Sequence, residues 1–227
     1  MNFFLGETTM ELNEFIDQTN LKAFATESDI LNLCQEAIYF KFKAVCINPC
    51  YIKLAKKKLE NTKILVCTVI GFPLGANAME VKVFEAFQAY LDGADEFDLV
   101  INIGALKSKN YDYVQKEIEL VQKVIENKTL KVIIETCYLT EEEIIIMTEI
   151  CNKLNVDFIK TSTGFGSRGV NIRDLELIKM AKSHHLEIKA SGGIKDYETA
   201  LEFIEAGASR IGTSSGSKIM LKIRHRN

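Results

Sequence analysis

Short β-rich runs alternate with longer segments of helical period along almost the whole chain, and this alternation constrains the fold more than any other feature. Such alternation is typical of repeated β-α units that build a parallel sheet. The predicted strands are residues 16–20, 44–48, 63–70, 96–102, 130–136, 157–162, 187–191 and 209–212. The predicted amphipathic helices are residues 28–37, 79–91, 111–126, 141–154, 172–182 and 197–205.

Eight strands match the number in a closed barrel, so the pattern predicts an α/β fold of the (β/α)8 TIM barrel type. We expect residues 1–227 to form it as a single domain, because no proline- or glycine-rich linker divides the chain. A short helix at residues 11–15 is expected to close the bottom of the barrel. The basic tail is expected to be a solvated end, with Lys218, Lys222, Arg224 and Arg226.

An open doubly wound sheet is the alternative arrangement, because a sequence does not show whether a sheet closes. Such a sheet is expected to carry a GxGxxG phosphate-binding motif after its first strand. Residues 17–22 occupy that place and read Asp-Gln-Thr-Asn-Leu-Lys, without a glycine. The barrel is therefore favoured.

Charge and composition argue against several classes of function. The net charge is −3 and the basic residues are spread along the chain, which argues against a nucleic-acid partner. No apolar run is long enough to span a membrane and the first residues lack a secretory signal, so we expect a cytoplasmic protein. The six cysteines have no CxxC spacing and the three histidines no ligand motif, so neither a metal site nor a disulfide framework is expected.

Ionisable side chains recur on one parity of the predicted strands, while apolar side chains occupy the other. Because successive strand residues point to opposite faces, the apolar parity must face the helices and the polar parity the barrel interior. Ion pairs that merely close the barrel would explain any single one of these residues. The set favours a site at the carboxyl-terminal face of the barrel. Its members are Asp17, Cys46, Asp98, Glu135, Lys160 and Lys189.

Two lysines on adjacent strands indicate the chemistry. A lysine forms an imine only when it is neutral, and at its ordinary pKa only about 0.04% is neutral at pH 7. A neighbouring cation lowers such a pKa, and Lys189 would supply that cation to Lys160. Asp98 and Asp17 are placed to move protons and to balance charge.

Three segments rich in glycine, serine and threonine follow the last three strands, at residues 161–166, 191–194 and 212–216. Their backbone N–H groups and hydroxyls suit a phosphate group, which barrels of this type commonly bind after strands seven and eight. Flavin enzymes and sugar-phosphate isomerases use similar loops. The segments therefore indicate a phosphate without identifying the reaction.

Two motifs add a family resemblance. Residues 158–165, Phe-Ile-Lys-Thr-Ser-Thr-Gly-Phe, and residues 188–194, Ile-Lys-Ala-Ser-Gly-Gly-Ile, resemble the signatures of deoxyribose-phosphate aldolases. The similarity extends over nearly the whole chain and is greatest to the shorter bacterial members. It includes residues 16–22, 45–49, 71–75, 93–106 and 210–216.

The resemblance implies reversible cleavage of 2-deoxy-D-ribose 5-phosphate to acetaldehyde and D-glyceraldehyde 3-phosphate, with no metal or organic cofactor, in deoxynucleoside breakdown. It places the Schiff base on Lys160, the second lysine at Lys189 and the proton-relay carboxylate at Asp98. Cys46 would line the site without acting as a nucleophile. The expected substrate-binding residues are Asp17, Cys46, Thr163, Gly164, Gly192, Gly193, Ser214 and Ser215.

The chain departs from the family pattern in two places. Gln18 stands where many members have histidine, and Ala23-Phe24 stands where proline follows the residue matching Lys22. The tail also lacks the C-terminal tyrosine of longer members. A homodimer is expected because dimers are common in the family. The remaining alternatives are a Schiff-base aldolase or transaldolase for another sugar phosphate, and a phosphate-binding barrel without chemistry.

Overall fold

Eight parallel strands pair in chain order and close into a barrel, because the last strand also pairs with the first. The computed structural model describes residues 2–5 and 8–224, with side chains for residues 11–222. The barrel strands are β3 (Ile16–Asn20), β4 (Ala44–Ile47), β5 (Leu65–Ile70), β6 (Glu96–Val100), β7 (Thr129–Ile133), β8 (Phe158–Lys160), β9 (Glu187–Ser191) and β10 (Arg210–Thr213). The closed sheet confirms the predicted TIM barrel and excludes the open doubly wound alternative.

Nine helices of the described chain surround or cap the barrel: α1 (Glu27–Phe40), α2 (Ile52–Leu59), α3 (Met79–Leu91), α4 (Ile103–Lys107), α5 (Tyr111–Ile125), α6 (Glu141–Lys153), α7 (Ile172–Ala181), α8 (Tyr197–Glu205) and α9 (Gly216–Arg224). Helices α1, α6 and α7 begin with capping boxes, in which the cap side chain and the third helical residue satisfy each other's backbone N–H groups. The six predicted helices are confirmed within a few residues at each end. None of the described helices is long and apolar enough to cross a bilayer.

Two of the helices that were not predicted lie in basic segments. In α2, Ile52, Ala55 and Leu59 are buried at helical spacing, although lysines occupy most of the other positions. In the tail, α9 covers most of the predicted solvated end and buries Ile219 against the barrel. The side chains of Lys218 and Lys222 are exposed, as expected, whereas Arg226 lies outside the described residues.

The bottom of the barrel is closed by a short 3-10 helix at Leu12–Phe15, where a helix at residues 11–15 was predicted. Leu12 and Phe15 are buried there. A two-stranded antiparallel hairpin precedes it, with strands β1 (Asn2–Leu5) and β2 (Thr8–Glu11), and this hairpin was not predicted. It lies outside the barrel sheet.

Four of the eight barrel strands, β4, β6, β7 and β8, end earlier than the sequence pattern suggested, because the chain leaves the sheet to form the mouth loops. Strand β7 ends at Ile133, and Glu135 adopts a left-handed conformation with φ of 52°. Such a conformation turns the chain away from the extended direction. Glu135 therefore lies in the mouth and not in the barrel interior, where the longer predicted strand had placed it.

A buried ion pair behind β6 holds the end of this strand. Lys82 Nζ lies 2.7 Å from Glu117 Oε1 and donates to the carbonyl of Val100 at 2.8 Å. Glu117 Oε2 accepts the backbone N–H of Asn102 at 3.0 Å. Both charged side chains are fully buried, so they fix helices α3 and α5 to the strand that carries Asp98.

Candidate active site

Charged side chains fill the centre of the barrel where layers of Val, Ile and Leu are usual. Asp98, on β6, is fully buried, and its Oδ1 lies 3.1 Å from Lys131 Nζ on β7. Lys131 Nζ lies 2.6 Å from Glu96 Oε2, and the other oxygen of Glu96 accepts a hydrogen bond from Arg210. One chain of contacts thus leads from the middle of the barrel to its lower end.

A second chain of contacts leads back to Asp98. Arg210 also donates to Asp17, on β3, and Asp17 Oδ2 lies 2.6 Å from Lys189 Nζ. Lys189 Nζ donates to Asp98 Oδ2 at 2.8 Å. Carboxylates and cations therefore alternate around a closed ring. We call these groups the charge ring: Asp98, Lys131, Glu96, Arg210, Asp17 and Lys189.

Lys160 is attached to the ring without belonging to it. Its Nζ donates to Asp98 Oδ2 at 2.8 Å, the oxygen that also accepts from Lys189. The three carboxylates and three cations of the ring balance one another. A proton on Lys160 would therefore be the uncompensated charge in this cluster.

The ring changes the proton affinity of its members. Burial alone would raise the pKa of Asp98, but Lys131, Lys160 and Lys189 outweigh burial and hold that pKa well below its ordinary value. Burial alone would lower the pKa of Lys189, but Asp17 and Asp98 raise it well above its ordinary value. Asp98 is therefore a carboxylate and Lys189 an ammonium group at neutral pH.

Two thiols contact the carboxylate of Asp98. Cys67 Sγ lies 3.1 Å from Asp98 Oδ1, and Cys46 Sγ lies 3.9 Å from Asp98 Oδ2. These atoms lie within 4.8 Å of one another, as metal ligands would. The ammonium groups of Lys131 and Lys189 contact the same carboxylate, so cations of the protein already balance its charge.

A cavity of about 230 Å³ opens at the carboxyl-terminal end of the barrel. Lys160 lines this cavity, whereas Lys131 and Lys189 are fully buried below it. Of the expected binding residues, the cavity is lined by Thr163, Gly164, Gly192, Gly193 and Ser214. The structure thus brings together the lysine and the glycine-rich loops that the sequence indicated.

Three other expected binding residues lie outside the wall of the cavity. Asp17 and Cys46 are fully buried beneath it, where both contact groups of the cluster around Asp98. Ser215 follows Ser214 at the start of α9, and its carbonyl accepts the N–H of Ile219. Asp17 and Cys46 are therefore connected to the cavity through these neighbours and do not line it in this structure.

Glu135 holds the loop after β8 in place at the mouth. Its carboxylate accepts the backbone N–H of Thr163 at 3.2 Å and also the hydroxyl of Thr163. Thr163 Oγ1 in turn accepts the N–H of Phe165 at 3.0 Å. The loop after β8, which carries Gly164, is fixed above Lys160 by these bonds.

The loops after β8 and β9 approach each other closely. A Cβ atom on Gly169 would lie 2.0 Å from the carbonyl oxygen of Gly192, so a side chain is excluded there. Gly164 and Gly192 both have positive φ, 87° and 88°. Glycine is required in both loops for conformation and for space.

Several site residues were missed from the sequence. Glu96, Lys131 and Arg210 share the inward parity of the residues that were identified, so strand parity contained the signal. Lys22 and Lys195 line the cavity next to predicted motifs. Gln18, the departure from the family pattern, points away from the site and bonds Glu36, Ser217 and Gly216.

Comparison with known proteins gives the family. Residues 13–222 match the model of a family described as DeoC/LacD family aldolase. The chain belongs to this family. A deoxyribose-phosphate aldolase of Finegoldia magna is 56% identical over 211 residues, which cover 93% of this chain and 99% of that protein.

Two further relatives of the family support the assignment. A deoxyribose-phosphate aldolase of Thermococcus kodakarensis is 55% identical over 214 residues, with 92% of this chain and 96% of that protein covered. A solved structure of deoxyribose phosphate aldolase from Aeropyrum pernix, described as tetrameric, has a TM-score of 0.88 and 30% identity, with 95% and 92% covered. The family resemblance predicted from the motifs is confirmed.

The lowered pKa of Asp98 predicts how stability changes in acid. Since the pKa is lower in the folded chain than in the unfolded chain, ionised Asp98 stabilises the fold above the unfolded value, and this contribution is lost as the pH falls through the folded pKa. We expect the thermal midpoint of Asp98→Asn to fall less steeply than that of the parent between about pH 5 and pH 2. The exposed Asp112 of α5 gives the control Asp112→Asn, which should follow the parent. Parallel curves for parent and Asp98→Asn would contradict the assignment.

Proposed function

We propose that this aldolase cleaves 2-deoxy-D-ribose 5-phosphate reversibly to acetaldehyde and D-glyceraldehyde 3-phosphate through a Schiff base on Lys160. The observation that carries the proposal is the position of Lys160. It is the buried lysine that contacts Asp98 and also reaches the mouth cavity, and the charge ring is balanced without it. A neutral amine facing a cavity is what attack on an aldehyde requires.

The reaction begins when the Lys160 amine attacks C1 of the open-chain sugar, and loss of water gives an iminium ion. Removal of the proton from the C3 hydroxyl then breaks the C2–C3 bond, and the electron pair moves into the iminium group to form an enamine. Glyceraldehyde 3-phosphate leaves. The enamine is protonated at C2, and water hydrolyses the resulting iminium ion to release acetaldehyde and the free amine.

Asp98 is the proton carrier that we assign to the steps at nitrogen. Its Oδ2 accepts from both Lys160 and Lys189, so a proton can pass between the lysines through one oxygen. The low pKa of Asp98 keeps it ionised between transfers. Lys189 remains a cation and opposes a second positive charge on Lys160.

The phosphate is assigned to the upper part of the same cavity. Gly192 and Gly193 both have positive φ, which exposes successive backbone N–H groups, and Ser214 precedes the start of α9. Lys22 and Lys195 add two cations to this wall of the cavity. A cytoplasmic location belongs to the same proposal, because a phosphorylated sugar does not cross membranes unaided.

We include a homodimer in the proposal because α3 carries an apolar stripe on its outer face. Val81, Phe84, Phe87 and Leu91 lie at helical spacing and are between 42% and 66% exposed. A contiguous apolar surface of this kind is unusual on a monomer, and a twofold axis lets the same patch cover its copy. The Aeropyrum pernix relative is itself described as tetrameric.

Covalent trapping tests the role of Lys160. Borohydride in the presence of acetaldehyde should add one ethyl group, and peptide mass mapping should find it on Lys160. Lys160→Met should lose at least about 1000-fold in kcat/KM for deoxyribose 5-phosphate, since no other described lysine combines the cavity with Asp98. The exposed Lys116 of α5 gives the control Lys116→Met, which should keep the parent rate. An adduct on Lys189, or faster turnover of ribose or fructose phosphates, would contradict the proposal.

Phosphate recognition is tested by changing charge at the mouth. Ser214→Glu should lower kcat/KM for deoxyribose 5-phosphate by about 100-fold but affect unphosphorylated deoxyribose by less than about threefold, because the carboxylate repels phosphate. Lys195→Met should act in the same direction with a smaller loss. Equal losses with both substrates would show that these residues do not bind the phosphate.

The apolar stripe is tested by sedimentation equilibrium. Introducing Phe84→Lys with Phe87→Lys should convert a dimeric parent to monomers, because two buried ammonium groups would be unpaired in the interface. Met180 is an exposed apolar residue on α7, and Met180→Lys should leave the assembly unchanged. A monomeric parent, or a double variant that still dimerises, would exclude this interface.

A further inference from the structure

The lower half of the charge ring lies at the end of the barrel opposite the mouth. Glu96 and Arg210 are the first residues of β6 and β10, and both line an opening at the lower end of the barrel. Thr129 and Glu187, the first residues of β7 and β9, line the same opening. Neither Glu96 nor Arg210 lines the mouth cavity, so neither can touch the substrate there.

These two residues are nevertheless connected to the catalytic groups by direct contacts. Glu96 contacts Lys131, which contacts Asp98, and Arg210 contacts Asp17, which contacts Lys189. Each step is an ion pair between side chains that are at least 95% buried. No water-exposed group interrupts either path within the described chain.

Each barrel strand other than β8 contributes one or two of the ionisable side chains that surround Lys160. Strand β3 contributes Asp17, β4 Cys46, β5 Cys67, β6 Asp98 and Glu96, β7 Lys131, β9 Lys189 and β10 Arg210. The Phe158 side chain also lies beside the charge ring. The centroid of its aromatic ring lies 5.5 Å from the Arg210 guanidinium carbon and 5.9 Å from Lys131 Nζ. Among the described residues, the charges around Lys160 are therefore those of the ring below it, with Glu135, Lys22 and Lys195 above it at the mouth cavity.

We propose that Glu96 and Arg210 are positioning residues that set the charge balance at Lys160 from the far end of the barrel. The inference rests on the proposed Schiff-base function. Charges in a buried cluster are weakly screened, so the loss of one charge at the lower end changes the cost of a proton on Lys160. The sign of the effect depends only on which charge is lost.

The two residues must therefore act in opposite directions. Glu96→Gln leaves the ring with an excess positive charge, so Lys160 should release its proton more readily. Arg210→Met leaves an excess negative charge, so Lys160 should hold its proton more strongly. A purely structural role would not give shifts of opposite sign.

The test is the pH dependence of ethyl trapping on Lys160, measured by mass mapping with acetaldehyde and borohydride. We expect the midpoint to move by about half a unit or more to lower pH in Glu96→Gln and to higher pH in Arg210→Met. The double variant should return to the parent midpoint, because both charges are removed. Glu187 lines the same opening but does not belong to the charge ring, so Glu187→Gln should not move the midpoint.

Several outcomes overturn the inference. Shifts in the same direction, an unchanged midpoint in either folded single variant, or a double variant that stays displaced would each do so. Arg210→Lys keeps the charge and should keep the parent midpoint, so it provides a comparison with Arg210→Met in which only the charge differs. Absence of trapping in the parent would instead refute the Schiff-base function, so the two failures are distinguishable.

Discussion

The contact of one carboxylate with three lysine side chains is the interaction on which the rest of the site depends. Asp98 contacts Lys131 through one oxygen and both Lys160 and Lys189 through the other. An isolated ion in a protein interior costs several kcal/mol, roughly, so a cluster of this size persists only when each charge has partners. The closed ring supplies a partner of opposite sign on both sides of every member.

This arrangement gives the three lysines different surroundings. Lys131 and Lys189 each contact two carboxylates, and both are fully buried. Lys160 contacts one carboxylate that it shares and reaches the cavity. Burial and pairing thus leave the Lys160 amine at the mouth, beside the glycine-rich loops that follow β8 and β9.

Much of the fold was predictable because strand and helix periods are local properties of the sequence. The parity of Lys160, Lys189 and Asp98 identified the centre of the site, because alternation along a strand decides which side chains meet. The same parity included Lys131, Glu96 and Arg210, but their role depends on which strands are neighbours around the closed barrel. Contacts such as Arg210 with Glu96 join residues 114 positions apart, which no local pattern specifies.

Other features could not be predicted for different physical reasons. The hydrophobic face of α2 is defined by only a few residues among lysines, and its helical state depends on packing against the barrel. Strand ends are set where the chain turns into loops, as at Glu135, and not by side-chain hydropathy. Asp17 and Cys46 were correctly placed inward, but their depth below the cavity depends on barrel closure.

The central claim is that the charge ring is balanced by its own members and that Lys160 lies outside it. Neutron diffraction from deuterium-exchanged crystals at about pH 9 would count the deuterons on each group directly. We expect three deuterons on Lys131 and on Lys189, and none on Asp17 or Asp98. A neutral Lys189, or a deuteron on Asp17 or Asp98, would contradict the account.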